Sequence, residues 1–135
     1  WIRHGSWYPD RKLRLFDRRK GSWQGAIHES IRLEGSTGFL KGDLLHYSYY
    51  SVSDHVRQAN HFTDLTAREA FERGKNAGTL KILFSPCIKF VRDYIFLRGF
   101  IDGYPGFLVC RISAWATFLK YAKLRQLHKD KPATP

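Results

Sequence analysis

The sequence has 135 residues, enough for one small domain, and its hydrophobic (43%) and aromatic (16%) fractions exclude a disordered chain. Its net charge of +11 is unevenly spread: residues 1–20 hold seven Lys/Arg against two acids, residues 21–79 six against seven, and residues 80–129 nine against two. A near-neutral centre between two basic flanks points to anionic partners, whether nucleic acid, anionic lipid head groups or phosphorylated substrates.

The first segment, KLRLFDRRKG, alternates Leu13, Arg14 and Leu15 and is predicted to be a strand ending at Gly21. SWQGAIHESIRLEG follows, with Ile27, Ile31 and Leu33 as apolar anchors, and GFLKGDLLHYSYYS is a third extended run centred on Leu44–Tyr47. Frequent glycines between these runs fit short strands and tight turns. After Ser51 the period changes. Ser53 and Asp54 form a plausible N-cap region for a helix to about Arg73, with Val56, Ala59, Phe62, Ala70 and Phe71 on its buried face.

Residues 80–101 form a second helical stretch, in which Phe84, Ile88, Val91 and Ile95 recur at helical spacing and Pro86 either starts or kinks the helix. DGYPG, residues 102–106, reads as a turn. A third helix is expected from Phe107 to about Leu127, with Leu108, Ile112, Trp115, Leu119 and Ala122 on one stripe, before a frayed tail. Cys87 and Cys110 show no zinc spacing and are expected to be buried thiols. No apolar run reaches the roughly 18 residues needed to span a bilayer. The last two helices nevertheless have the basic, aromatic composition of a hairpin on an anionic membrane surface; packing on another domain is the alternative. There is no Met and no leader signature, so the sequence reads as a stretch of a longer protein. The expected divisions are 1–52, 53–79, 80–128 and a tail from 129 to 135, in an α/β or α+β arrangement.

HGSWYPDRKLRLF, WQGAIHE, LLHYSY and FVRDYIFLRGFIDGYPGF, in that order, resemble the C-terminal half of bacterial family 2 glycosyltransferases, in particular the lipopolysaccharide-core β-glucosyltransferase type. The resemblance covers roughly residues 1–125, and it is the ordered set that is specific. It implies part of a GT-A fold and an inverting transfer from a UDP-sugar, with glucose the expected sugar. The implied acceptor is a lipid-linked, phosphate-bearing glycan at the cytoplasmic face of the bacterial inner membrane. Such enzymes hold the nucleotide-sugar and a divalent ion, Mg²⁺ or Mn²⁺, with an upstream DxD motif. None occurs here, since every Asp stands apart. That half is expected upstream, and residues 1–135 alone are expected to be inactive.

The resemblance carries roles onto particular residues. Glu29 stands where the catalytic base is expected; a solvated Glu, or a partner of Arg32, is the plain alternative. His46 is the expected metal contact from this half, or else a satisfied histidine at a strand end. His28 is expected to meet phosphate or orient Glu29. In the HGSWYPD loop, Gly5 permits close backbone approach, Trp7 and Tyr8 offer stacking faces, as does Trp23, and Asp10 can position a sugar hydroxyl. Arg14 is the preferred phosphate ligand in an arginine run that otherwise reads as a solvated strand edge. His55 and His61 receive no role. A basic membrane-surface or nucleic-acid-binding module without catalysis is the competing reading, but no RNP, KH-type or zinc motif supports the nucleic-acid form.

Overall fold

In a computed structural model, residues 2–13, 15–24, 30–33 and 35–130 are described. Contacts divide the chain into one unit made of Trp1–Pro9 with Ser48–Pro135 and a second made of Asp10–Tyr47. Among the described residues the elements are two short strands, three α-helices and short 3-10 and π turns, an α+β composition as expected.

The smaller unit is built on an antiparallel pair, β1 (Gly21–Gln24) and β2 (Ser30–Leu33), in the register Gly21 opposite Leu33 and Gln24 opposite Ser30. A Cβ at Gly21 would lie 2.7 Å from the Phe16 ring and 3.3 Å from Ile31, so the missing side chain is what lets Phe16 cover the hairpin. KLRLFDRRKG is not a strand in its described residues; the strand begins at Gly21, where it was expected to end. Asp17 and Arg19 instead close a turn, the guanidinium gripping both carboxylate oxygens (Nη2 to Oδ2 2.8 Å). The run centred on Leu44–Tyr47 also forms no strand, and Leu44 and Leu45 are exposed. Alternation makes a strand possible, but a strand exists only where a partner edge takes its backbone hydrogen bonds.

In the larger unit, α1 spans Val52–Glu72. Its N-cap is Ser51, two residues earlier than expected. Ser51 Oγ accepts from the Asp54 amide (3.1 Å) and donates to the Asp54 carboxylate (2.7 Å), so the cap satisfies one orphan donor and places a negative charge at the positive end of the helix. The other end closes on Gly74 at φ +68°, with Gly74 N–H donating to Phe71 O and Lys75 N–H to Ala70 O. The buried face runs His55, Thr63, Ala67, Ala70; Val56 and Phe62, expected inside, are exposed.

The second helix, α2, spans Thr79–Val91 and runs through Pro86 into a π turn at Arg92–Phe96. The chain reverses over residues 97–102, where Arg98 takes a left-handed conformation (φ 57°). DGYPG is therefore not the turn: α3 starts at Gly103 and continues to Asp130. Pro105 is tolerated because the first helical turn needs no partner for its missing N–H. Both α1 and α2 pack on α3. Ala67 and Ala70 of α1, Ala77, Ile82 of α2 and Leu124 of α3 form the core, with Phe71, Phe118, Tyr121 and Leu127 around it. Small alanines let the backbones approach, and Leu124 is 1% exposed. Lys123 fastens α3 to α1, reaching Asn60 Oδ1 (2.8 Å), Thr63 Oγ1 (2.9 Å) and Asp64 (2.7 Å). Arg125 donates to Thr79 Oγ1 (2.8 Å) at the start of α2, so α2 and α3 run antiparallel.

Candidate functional site

The HGSW stretch is held against the α2–α3 reversal by a dense polar knot. Arg3 and His4 donate their backbone N–H groups to Asp102 Oδ2 (2.9 and 2.8 Å), and the His4 ring meets Asp102 Oδ1 at 2.8 Å. Burial alone would raise the Asp102 carboxyl, but these hydrogen bonds and the neighbouring His4 outweigh it and hold it below the usual carboxylate range. Gly5 N–H donates to Leu97 O at 2.9 Å. Gly5 itself sits at φ +72°, a left-handed conformation that glycine adopts without steric cost.

Asp93 is the centre of the knot and is 0% exposed. Its Oδ2 accepts from Ser6 Oγ (2.9 Å) and pairs with Lys89 Nζ (2.6 Å), while Lys89 also donates to Ser6 (3.2 Å). Its Oδ1 is buried without a hydrogen-bond partner among the described residues. Gly99 and Gly106 make the approach possible: a Cβ on Gly99 would collide with Cys110 Sγ and the Asp93 carbonyl, and one on Gly106 with the Gly99 carbonyl oxygen. Burial, and then the nearby Asp93 charge, push the Cys110 thiol up, so it stays protonated and inert. Cys87, expected to be buried, is exposed.

The knot fixes the residues that follow it. Trp7 is half-buried, with its ring against Tyr49 (5.6 Å) and His55 (5.3 Å), and Tyr49 and His55 stack at 4.0 Å. His55, to which the sequence assigned nothing, is thus a buried member of an aromatic cluster, and burial lowers its pKa. Tyr8 is 42% exposed and stands beside this cluster in sequence. The arrangement can present aromatic faces from a rigid pedestal, which is what stacking on a sugar ring requires.

The other expected site residues fall elsewhere. Arg14, His28 and Glu29 lie outside the described residues. Trp23 pairs through its backbone with Ile31. Asp10 is exposed and pairs with Lys12 at 3.2 Å. His46 is exposed in a segment without regular structure. Among the described residues no group of three or more His, Cys, Asp or Glu side chains can hold a metal ion, so these residues do not make a metal site by themselves. The residues that sequence reasoning missed are Asp93 and Asp102. The signal was present, since they are the only acids between Glu72 and Asp130 in a strongly basic run.

No protein-family model matches the chain, and no solved structure matches it. Curated proteins do. The lipopolysaccharide core biosynthesis glycosyltransferase LpsC of Rhizobium meliloti is 33% identical over 121 residues, covering 87% of this chain and 45% of LpsC. An uncharacterized glycosyltransferase of Rickettsia bellii is 29% identical over 132 residues (90% of this chain, 45% of the relative), and one of Rickettsia typhi is 28% identical over 125 residues (85% and 43%). The chain therefore spans a little under half the length of the relatives it matches. Across nearly all of its own length, this chain is homologous to bacterial glycosyltransferases, one of them named for lipopolysaccharide core biosynthesis.

Proposed function

We propose that the chain is the acceptor-side part of an inverting, family 2 glycosyltransferase of GT-A fold. The reading is that it moves a sugar, glucose in the first instance, from a UDP-sugar to a lipid-linked, phosphate-bearing glycan such as the lipopolysaccharide inner core. The site of action is the cytoplasmic face of a bacterial inner membrane. The observation that carries this reading is the similarity to LpsC over 87% of the chain. The HGSW pedestal and the basic flanks support it.

In this mechanism the acceptor hydroxyl attacks the anomeric carbon as Glu29 takes its proton. The bond from that carbon to the diphosphate oxygen breaks, and UDP leaves with the electron pair. One carboxylate suffices, because the diphosphate departs without a protein acid. Arg14 and His28 meet phosphate, Trp7, Tyr8 and Trp23 stack on sugar, and Asp10 positions a hydroxyl. A divalent ion would stabilise charge on the leaving diphosphate; it would take most of its ligands from outside these residues, and His46 is the one donor proposed here. In the whole transferase, Glu29→Gln is expected to lower turnover by about 10²–10⁴-fold with donor binding retained. Near-normal transfer of labelled glucose from UDP-glucose by that variant removes Glu29 as the base. No transfer by the unaltered protein to any lipid-linked core acceptor removes the reading.

A further inference from the structure

Helix α2 turns most of its large apolar side chains outward. Leu80, Leu83, Phe84, Ile88 and Val91 of α2 and Ile95 of the following π turn share one face and are all exposed, Ile88 by 65%. The opposite face is mixed: Ile82 enters the core, Phe90 and, in the π turn, Tyr94 meet the Phe107 ring of α3 (centroids 6.0 and 5.8 Å), and between them Lys89 and Asp93 pair with each other and with Ser6. A helix in water has the opposite distribution, because exposing apolar area forgoes about 25 cal/mol per Å². Isolated exposed apolar residues are ordinary, but a continuous stripe about 22 Å long marks a surface that something apolar covers.

The charges say what covers it. Arg92 borders one edge of the stripe and Arg98 follows it in the reversal, both exposed; Lys81 lies on the same edge with its ammonium over the Tyr121 ring of α3 (4.9 Å). No exposed free carboxylate stands between Thr79 and Lys129: Asp93 is buried on Lys89 and Asp102 is bound by His4. A wholly apolar stripe with an exclusively cationic margin complements a layer that is hydrocarbon beneath and anionic at its surface. Among the described residues no helix is long and apolar enough to cross a membrane, so the geometry is that of a helix lying in the interface plane.

We propose that the outward face of α2 is the docking surface of this chain on an anionic lipid bilayer. The stripe sinks among the acyl chains and Arg92 and Arg98 meet lipid phosphates. The inference deepens the transferase reading by naming the element that brings the protein to a lipid-linked acceptor, and it rests on that reading for its purpose though not for its geometry.

Cys87 lies within the stripe and is exposed, whereas Cys110 is buried, so a polarity-sensitive fluorophore can be placed on the face through a native thiol. With vesicles of phosphatidylcholine mixed with phosphatidylglycerol, the label is expected to shift to the blue. Phosphatidylcholine alone, or high salt, should weaken the shift. In the doubly substituted variant Phe84→Ser, Ile88→Ser, read by co-sedimentation, partitioning falls by at least about tenfold. Its thermal unfolding stays close to that of the parent, because both side chains are largely outside the core. Arg92→Gln lowers binding to the mixed vesicles by about fivefold.

Four results overturn the proposal: no shift on vesicles; undiminished vesicle binding by the double variant; a label already shielded before lipid is added, with self-association in sedimentation, which assigns the face to a second copy; or shielding without self-association, which assigns it to another part of the same protein. Transfer to a detergent-dispersed acceptor separates this inference from the catalytic one. It should persist in the double variant, and its absence in the unaltered protein counts against the transferase reading alone.

Discussion

Replacing Lys89 with Met tests the knot beneath the HGSW stretch most directly. Asp93 is fully buried and its Oδ1 has no hydrogen-bond partner among the described residues, so its charge depends on Lys89 at 2.6 Å and on the Ser6 hydroxyl at 2.9 Å. Met keeps the apolar stem of the lysine and removes only the cation. The buried carboxylate then has a single neutral donor. Breaking a buried ion pair in this way costs about 3–5 kcal/mol, which is about 10–20 °C of melting temperature for a unit of this size.

The surface pair Arg57–Asp54, with side chains 78% and 41% exposed, is the internal control: Arg57→Met should cost no more than about 1 kcal/mol. The informative variant is the double one, Lys89→Met with Asp93→Asn. It removes the uncompensated charge along with its partner, so it should be more stable than Lys89→Met alone by about 2 kcal/mol. Thermal and urea unfolding followed by circular dichroism read both quantities. A Lys89→Met loss no larger than that of Arg57→Met, or a double variant less stable than the single, would refute the argument that Asp93 is a buried charge held by Lys89.

Other perturbations probe the same unit, with one control in the smaller unit. Gly106→Ala places a Cβ against the Gly99 carbonyl, which is backbone and cannot swing away, and should cost about 3 kcal/mol; Gly38→Ala, with open space around it, should stay within about 0.5 kcal/mol in the same urea titration. Burial depresses the pKa of His55, so the unfolded chain takes up the proton first. The stability this residue contributes is full above about pH 6.5 and is lost as pH falls through the lower folded value, so His55→Phe should flatten the acid side of the melting profile. Asp102 behaves alike in a lower window. Its carboxylate is held below the ordinary value, so the stability advantage over Asp102→Asn is full above about pH 4 and shrinks as pH drops further; an advantage independent of pH would mean the carboxylate charge is not what binds Arg3 and His4.

The sequence by itself determined what depends on neighbours along the chain. The position of α1 follows from a Ser51–Asp54 cap, a helical apolar period and Gly74, all within about three residues of what they control. The segregation of positive charge is equally local, as is the order of motifs that made the relationship to glycosyltransferases legible. Tertiary structure decided everything that needed a distant partner. The apolar period of α2 was visible, but periodicity does not say which side of a helix faces inward. Packing on α3 turned Ile82 in, the HGSW stretch drew Lys89 and Asp93 in, and Phe84 and Ile88 were left out. The extended runs before Gly21 and around Leu44 had strand-like residues and no strand, because backbone pairing is settled by a partner edge rather than by propensity. The two acids Asp93 and Asp102 looked like stray charges in a basic segment. They became the anchors of the HGSW stretch because the fold brings Ser6 and His4 to them from 87 and 98 residues away, where burial made an unpaired carboxylate too costly to leave.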